Sequence, residues 1–390
     1  MALVGEKSAL SGLSDFRKDK TQGKENLWTK ILGEVQSGDR NKLSTCKSVI
    51  VLGDNESGKT TLIAKLQGNE DPKKGSGLEY AYIEVRDEYR DEKTRLGVWI
   101  LDGDPKHSEL LEYAVNEKNL EHTLVVLAVS MTTPWAIMDQ LHTWASTLQD
   151  HIDKLNLDPE SFLDQQKKMV RSWQDYIEPG DEMEANSPMK RSSRNLENED
   201  DPVLPLPDNV LMRNLGLNVI VVVTKTDYMT TLEKESDYKE EHFDFIQQSI
   251  RKFCLQYGAA LFYTSVKEDK NCDLLYKYLV HKIYGFPFKT PALVVEKDAV
   301  FVPSGWDNDK KISILYENMH TMNPGDYYTD VIAKPQVTRK AIARESEVHA
   351  EEESSFLSRH LAQMQGGPLP PGAPGRTESP LRQSPAVQRT

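Results

Sequence analysis

The segment Gly53-Asp54-Asn55-Glu56-Ser57-Gly58-Lys59-Thr60 fits the pattern G-x-x-x-x-G-K-[ST] at every fixed position. A strand-like run, KSVIVL, leads into it and a helix-like run, TTLIAKLQG, leads out, which is the context the pattern requires. The glycines let backbone N–H groups turn inward around a diphosphate, and the N-terminus of the following helix adds its positive dipole. Lys59 can then reach the β and γ oxygens and the Thr60 hydroxyl can ligate Mg²⁺, with Thr61 next on the same turn. A carboxylate for the same ion is Asp102, which ends the apolar run Val98-Trp99-Ile100-Leu101.

Two later elements bear on the base. The apolar run Asn218–Thr224 leads into Lys225-Thr226-Asp227, and Thr224 to Asp227 resembles the N/T-K-x-D element of guanine-nucleotide-binding proteins. That resemblance implies that Asp227 accepts from guanine N1–H and N2–H₂ while the Lys225 stem lies along the ring. Farther on, Ala259–Tyr263 runs into Thr264-Ser265-Val266-Lys267, similar to the S-A-K loop that contacts guanine O6. Their order after the phosphate loop implies a Ras-like G-domain holding a guanine nucleotide with Mg²⁺, with ATP as the alternative. One element departs from that pattern. In GTPases D-x-x-G supplies a glycine amide to the γ-phosphate, but Asp102-Gly103-Asp104-Pro105 puts Pro105 there, and proline has no N–H. No Gln follows to orient a water. Gly77–Asp91 is acidic and aromatic, and Thr94 lies too close to Asp102 to be the switch threonine. GDP is therefore expected over GTP, held without efficient hydrolysis, so the chain is not expected to be an enzyme; the competing reading is an active small GTPase-type switch enzyme.

The elements that must position these residues alternate. Strand candidates are Ser48–Leu52, Tyr80–Val85, Leu96–Leu101, Thr123–Val129, Asn218–Thr224 and Ala259–Thr264. Helix candidates are Lys59–Gln67, Pro134–Lys154, Glu240–Tyr257 and Leu274–Tyr284, with an added helix over 158–177. This alternation, with continuous Val/Ile/Leu strands, predicts a mostly parallel sheet with helices on both faces. Thr290–Tyr316 is expected to add a strand over VVEKDAVFV and a helix. Trp306 and the Ile312–Ile314 triplet are candidate partner anchors there. Trp135, Trp144 and Trp173 are read as packing residues.

Around this core, 1–26 reads as a disordered arm, Leu27–Val35 as a short amphipathic helix and 178–208 as a disordered insert within a domain over 27–320. Residues 321–364 are expected to be a partly helical extension, with a charged helix over 336–364. Ten of the 25 residues from Gly366 to Thr390 are Gly or Pro, so 365–390 reads as a disordered tail. Ser187, Ser379 and Ser384 each precede proline and are candidate phosphorylation sites.

Across all 390 residues, 48 Lys and Arg stand against 61 Asp and Glu, a net charge of −13. That balance makes the chain a poor candidate for binding nucleic acid, which needs a basic surface, and none is expected as a partner. Three cysteines give no disulfide framework and no zinc spacing, and nine histidines show no ligand pairing. No apolar run approaches the ~20 residues that cross a bilayer, and no signal segment opens the chain, so a cytosolic protein without membrane insertion is expected.

Beyond the motifs, longer stretches resemble the cytoplasmic dynein light intermediate chains over about residues 27–345. They include GVWILDGD (Gly97–Asp104), WASTLQDHIDKL (Trp144–Leu155), LPLPDNVL (Leu204–Leu211) and FCLQYGAALFYTSVKEDKN (Phe253–Asn271). DLLYKYLVHKIYGFPF (Asp273–Phe288) and TPALVVEKDAVFVPSGWDNDKKISIL (Thr290–Leu315) extend the match. The resemblance implies a non-catalytic motor subunit whose pseudo-GTPase domain binds the dynein heavy-chain tail, cytoplasmic and microtubule-associated through dynein. In that family a Phe/Leu-rich C-terminal helix docks on cargo adaptors. No such helix is read in this chain, so adaptor binding is expected only where a fuller form carries it.

Overall fold

The computed structural model describes residues 44, 46–69, 72, 75–87, 92–179, 205–317, 319–323, 325–335 and 351–365. The sequence readings for 1–35, 181–204, 336–350 and 366–390 lie outside these residues. Among the described residues, those through Lys334 form one compact unit, and Pro335 and 351–365 belong to a second.

In the first unit, β1 (Ser48–Leu52), β2 (Leu78–Asp87), β3 (Glu92–Leu101), β4 (Thr123–Ser130), β5 (Asn218–Thr224), β6 (Ala260–Tyr263) and β7 (Phe301–Val302) form one sheet in the order β2-β3-β1-β4-β5-β6-β7. Strands β3, β1, β4, β5 and β6 run parallel, while β2 and β7 pair antiparallel at the two ends. The strand expected over Tyr80–Val85 is longer than expected: β2 is a ten-residue antiparallel partner of β3 and takes up most of the acidic, aromatic stretch Gly77–Asp91.

Helices α1 (Lys59–Gln67), α2 (Leu111–Ala114), α3 (Ile137–Lys154), α4 (Pro159–Gln174), α5 (Met229–Glu235), α6 (Glu240–Tyr257), α7 (Cys272–Tyr284), α8 (Asp309–Ser313) and α9 (Tyr328–Val331) follow in chain order. Side chains alternate along the strands, so Ile50 and Leu52 join α3 and α6 in one buried cluster. Val49 and Val51 join α1 and α7 in another on the opposite face. Because both faces are covered, every second residue need not be polar, and the central strands read as unbroken apolar runs. α3 buries Ile137, Leu141, Trp144, Ala145, Leu148 and Ile152, a stripe of helical period.

The segment after α7 departs from its reading. VVEKDAVFV is not one strand: only Phe301 and Val302 pair with β6, and Leu293 meets Phe301 in an isolated bridge. Glu296 to Ala299 form a turn between them, closed by Ala299 N–H to the Glu296 carbonyl at 3.3 Å, and Val295 is 96% exposed. The candidate anchors are also largely spent within the molecule. Ile312 is buried and Trp306 is half-buried, with Lys311 Nζ 3.7 Å from its ring centroid; Ile314 stays exposed. Residues 321–334 lie on the first unit, where Tyr328 stacks on Phe245 and Ile332 is buried. Leu206, at the end of the expected insert, packs on Trp173 and its neighbours.

The second unit contains α10 (Glu353–Met364). The stretch read as charged is amphipathic, for Phe356, Leu357, Leu361 and Met364 are all exposed apolar residues at helical spacing.

Candidate functional site

The phosphate-loop segment leaves β1 at a switch point of the sheet, since β3 and β4 flank β1 on opposite sides. Gly53 is required here: a Cβ would lie 2.2 Å from the Ala128 carbonyl oxygen of β4. Gly58, at φ 88°, caps α1 in the left-handed region that glycine tolerates. Lys59 is buried, and its Nζ donates to the Gly53 carbonyl and, at 2.8 Å, to that of Asp54.

Four distant groups hold the residues between the glycines. Trp144 Nε1 on α3 donates to Asp54 Oδ1 at 2.8 Å. Gly103 packs so closely that a Cβ would sit 2.1 Å from Asn55 N. Lys225 Nζ donates to the Glu56 carbonyl at 2.6 Å, and Thr224 Oγ1 donates to that of Ser57. Sequence reading missed Trp144 and Thr224 in this role. Nothing local marks them, because these partners lie 90 and 167 positions away in sequence.

The loop opens on a cleft of about 190 Å³ lined by residues 55–61, Pro72, Gly75, Glu79, Ile100, Leu101 and Asp102. Asp102 directly follows β3 in this wall. Its N–H donates to the Gly77 carbonyl at 2.8 Å, and Oδ2 lies 3.5 Å from His107 Nδ1. Burial works to raise its carboxyl, but the backbone groups of Gly77 and Gly103, the Asn55 side chain and His107 outweigh it and hold the pKa below the ordinary carboxylate value. Oδ1 is buried without a hydrogen-bond partner. An ionised carboxylate with a spare buried oxygen, sharing the cleft wall with Thr60 at the start of α1, fits a Mg²⁺ ion, which takes few protein ligands beside phosphate oxygens. Pro105 is exposed and opens a short 3₁₀ turn, Pro105–Leu110, in which Asp104 accepts from Lys106 N–H at 3.1 Å. Thr94 is buried within β3, seven residues before the strand's end.

The two base-side elements meet. Ser265 Oγ donates to Asp227 Oδ1 at 2.7 Å, and Lys267 Nζ, largely exposed, is 3.9 Å from Oδ2. Lys225, at φ 56°, turns the chain between β5 and Asp227 and ties this region to the phosphate loop through Glu56. The Val266 side chain packs against the α1/α7 side of the core. The phosphate-side cleft does not extend to Asp227. Among the described residues no group of three or more His, Cys, Asp or Glu is placed to hold a metal by itself, and no helix is long and apolar enough to cross a membrane.

The family described as "Dynein light intermediate chain (DLIC)" matches residues 22–390. The cytoplasmic dynein 1 light intermediate chain 1 proteins of Rattus norvegicus and Homo sapiens are each 53% identical to this chain over 336 residues, 86% of this chain and 64% of the relative. The chain thus spans a little under two thirds of the length of these relatives. A crystal structure of the dynein light intermediate chain's conserved domain superimposes with a TM-score of 0.54 at 25% identity, covering 73% of this chain and 88% of that one. With the family model matching nearly all of its length and relatives at 53% identity over 86% of it, the chain belongs to the dynein light intermediate chain family.

Proposed function

We propose that this chain is a non-catalytic subunit of the cytoplasmic dynein complex, and that its G-domain-like unit holds a guanine nucleotide, GDP rather than GTP, as a fixed part of the fold. Residues 53–61 would cradle the diphosphate, Thr60 and Asp102 would hold Mg²⁺, and Lys225, Asp227 and the 265–267 loop would read the base. The bound ion would neutralise charge on the phosphates. The observation that carries the reading is an asymmetry in what the motif positions offer a nucleotide. The phosphate loop, Thr60 and Asp102, which has one buried oxygen without a partner, line the cleft, while Pro105, at the motif position that would serve a γ-phosphate, lies outside its lining and has no N–H to offer. In this reading the folded unit binds the heavy-chain tail. Cargo adaptors bind only in a form carrying the family's C-terminal helix, and the protein acts in the cytoplasm on microtubules through dynein. The deciding experiment is to denature the purified protein and identify the released nucleotide by chromatography. GDP is expected; ATP or ADP would favour an adenine-nucleotide protein, and no nucleotide with no thermal stabilisation by GDP and Mg²⁺ would refute the reading.

A further inference from the structure

The phosphate-loop pattern specifies glycines, a lysine and a hydroxyl, and leaves position 54 open. This chain puts a carboxyl there, in a loop that must accept negatively charged phosphates. Asp54 does not line the cleft. Its Oδ1 is turned to Trp144, whose Nε1–H lies at 2.8 Å. Trp144 is 5% exposed in the middle of α3, with Leu141, Ala145 and Leu148 buried around it. An indole is a large apolar body with one donor, so packing that fixes the ring also fixes the direction of its N–H.

We infer that Trp144 is a positioning residue of the phosphate loop: through Asp54 it draws a carboxyl away from the phosphate cradle and sets the loop's shape before any nucleotide binds. Three effects follow from this contact. The donor satisfies an acceptor that would otherwise face the phosphates as a like charge. The loop is ordered in advance, which lowers the cost of binding. And α3, which covers β4 and the neighbouring strands, is rigidly tied to the nucleotide site. The inference rests on the nucleotide-binding reading, and its test separates the two.

The test uses the full chain stripped of nucleotide, with Trp144→Phe, Asp54→Ala, Asp54→Asn and the Trp144→Phe/Asp54→Ala double variant. Hydrogen exchange of amides 53–58 is measured without nucleotide, and a fluorescent GDP is titrated in Mg²⁺. Trp144→Phe keeps a ring in the core, and Asp54→Ala, at a half-buried loop position, leaves the core untouched if the first variant fails to fold. Both should speed exchange across 53–58; Trp144→Phe, which leaves the carboxyl free to face the phosphates, should weaken GDP about tenfold, the scale of a hydrogen bond to a charged group, and Asp54→Ala, which also removes that charge, should weaken it less. The double variant should be no worse than the weaker single one. Asp54→Asn keeps an oxygen acceptor and should stay close to the parent in both readouts. Unchanged loop exchange in both single variants, or losses that add in the double, would overturn the inference. If the parent protein binds neither GDP nor ATP, the nucleotide reading fails, and the exchange measurements alone decide the role of Trp144.

Discussion

Pro105 and Lys282 show how single residues set what the molecule can do. A proline has no N–H, so position 105 cannot donate to a γ-phosphate whatever the loop's shape. Single-turnover hydrolysis of GTP should therefore run no faster than the slow intrinsic rate of small GTPases, about 10⁻⁴ per second. A clearly faster rate, read by phosphate release, would make this protein an enzyme. Lys282 on α7 lines a cavity of about 480 Å³ with Tyr176 and Phe288, and its Nζ lies 5.8 Å from the Tyr278 ring centroid. Burial lowers its pKa from the ordinary 10.5 to about 8. Below about pH 8 both folded and unfolded chains carry the charge and the folded one bears its desolvation. Between about 8 and 10.5 the folded chain sheds this proton first, the unfolded chain binds more protons, and the Lys282 contribution to stability rises with pH. The melting temperature of the parent should thus gain on Lys282→Met over that window. A difference that does not change with pH would show that the ammonium is not desolvated.

At the scale of elements, the segment after β7 is fastened to α6 by a buried bidentate pair. Arg251 Nε donates to Asp307 Oδ2 at 2.8 Å and its Nη2 to Oδ1 at 2.7 Å, and the side chains are 3% and 6% exposed. The Arg251 guanidinium also lies 5.7 Å from the Trp306 ring centroid. Removing one partner leaves an unpaired buried charge, so Asp307→Ala should cost about 3–5 kcal/mol in urea unfolding. Replacing both, as Arg251→Met with Asp307→Leu, should recover much of that loss, because the desolvation is then gone as well. If the double variant is as unstable as Asp307→Ala, the pair contributes more than mutual neutralisation. Trp306 and Ile312 belong to this fastening. The aromatic residue that looked like a partner anchor in sequence is here held against the protein's own Arg251 and Lys311.

For the whole molecule, the first unit carries the sheet, both faces of the core and the site, and it extends through Lys334. Under the proposed function, residues 27–345 alone should co-purify with the heavy-chain tail, and removal of 346–390 should change that binding little. Binding by 346–390 but not by 27–345 would reverse the proposed division of labour. The exposed stripe of α10 makes the comparison informative, since Phe356, Leu357, Leu361 and Met364 offer apolar surface that a charged helix would lack.

Much of this was legible in local pattern. β1, α1, β5 and α6 fall where the apolar runs place them, because strands covered on both faces and helices with one apolar stripe leave distinct periods in sequence. The phosphate loop was legible for the same reason, since a tight anion-binding turn tolerates few residue types. The bracing of that loop was not. Trp144, Thr224 and Gly103 reach it from α3, β5 and the turn after β3, across separations that no local period records. The run Val294–Val302 reads as a strand, but apolar content alone does not make one. β6 offered pairing only to Phe301 and Val302, and the charged turn at 296–298 took the chain away before them. Residue types decided what chemistry the site could attempt. Close packing in three dimensions decided which side chains hold it in shape, since hydrogen bonds and van der Waals contact act over a few ångströms of space and take no account of distance along the chain.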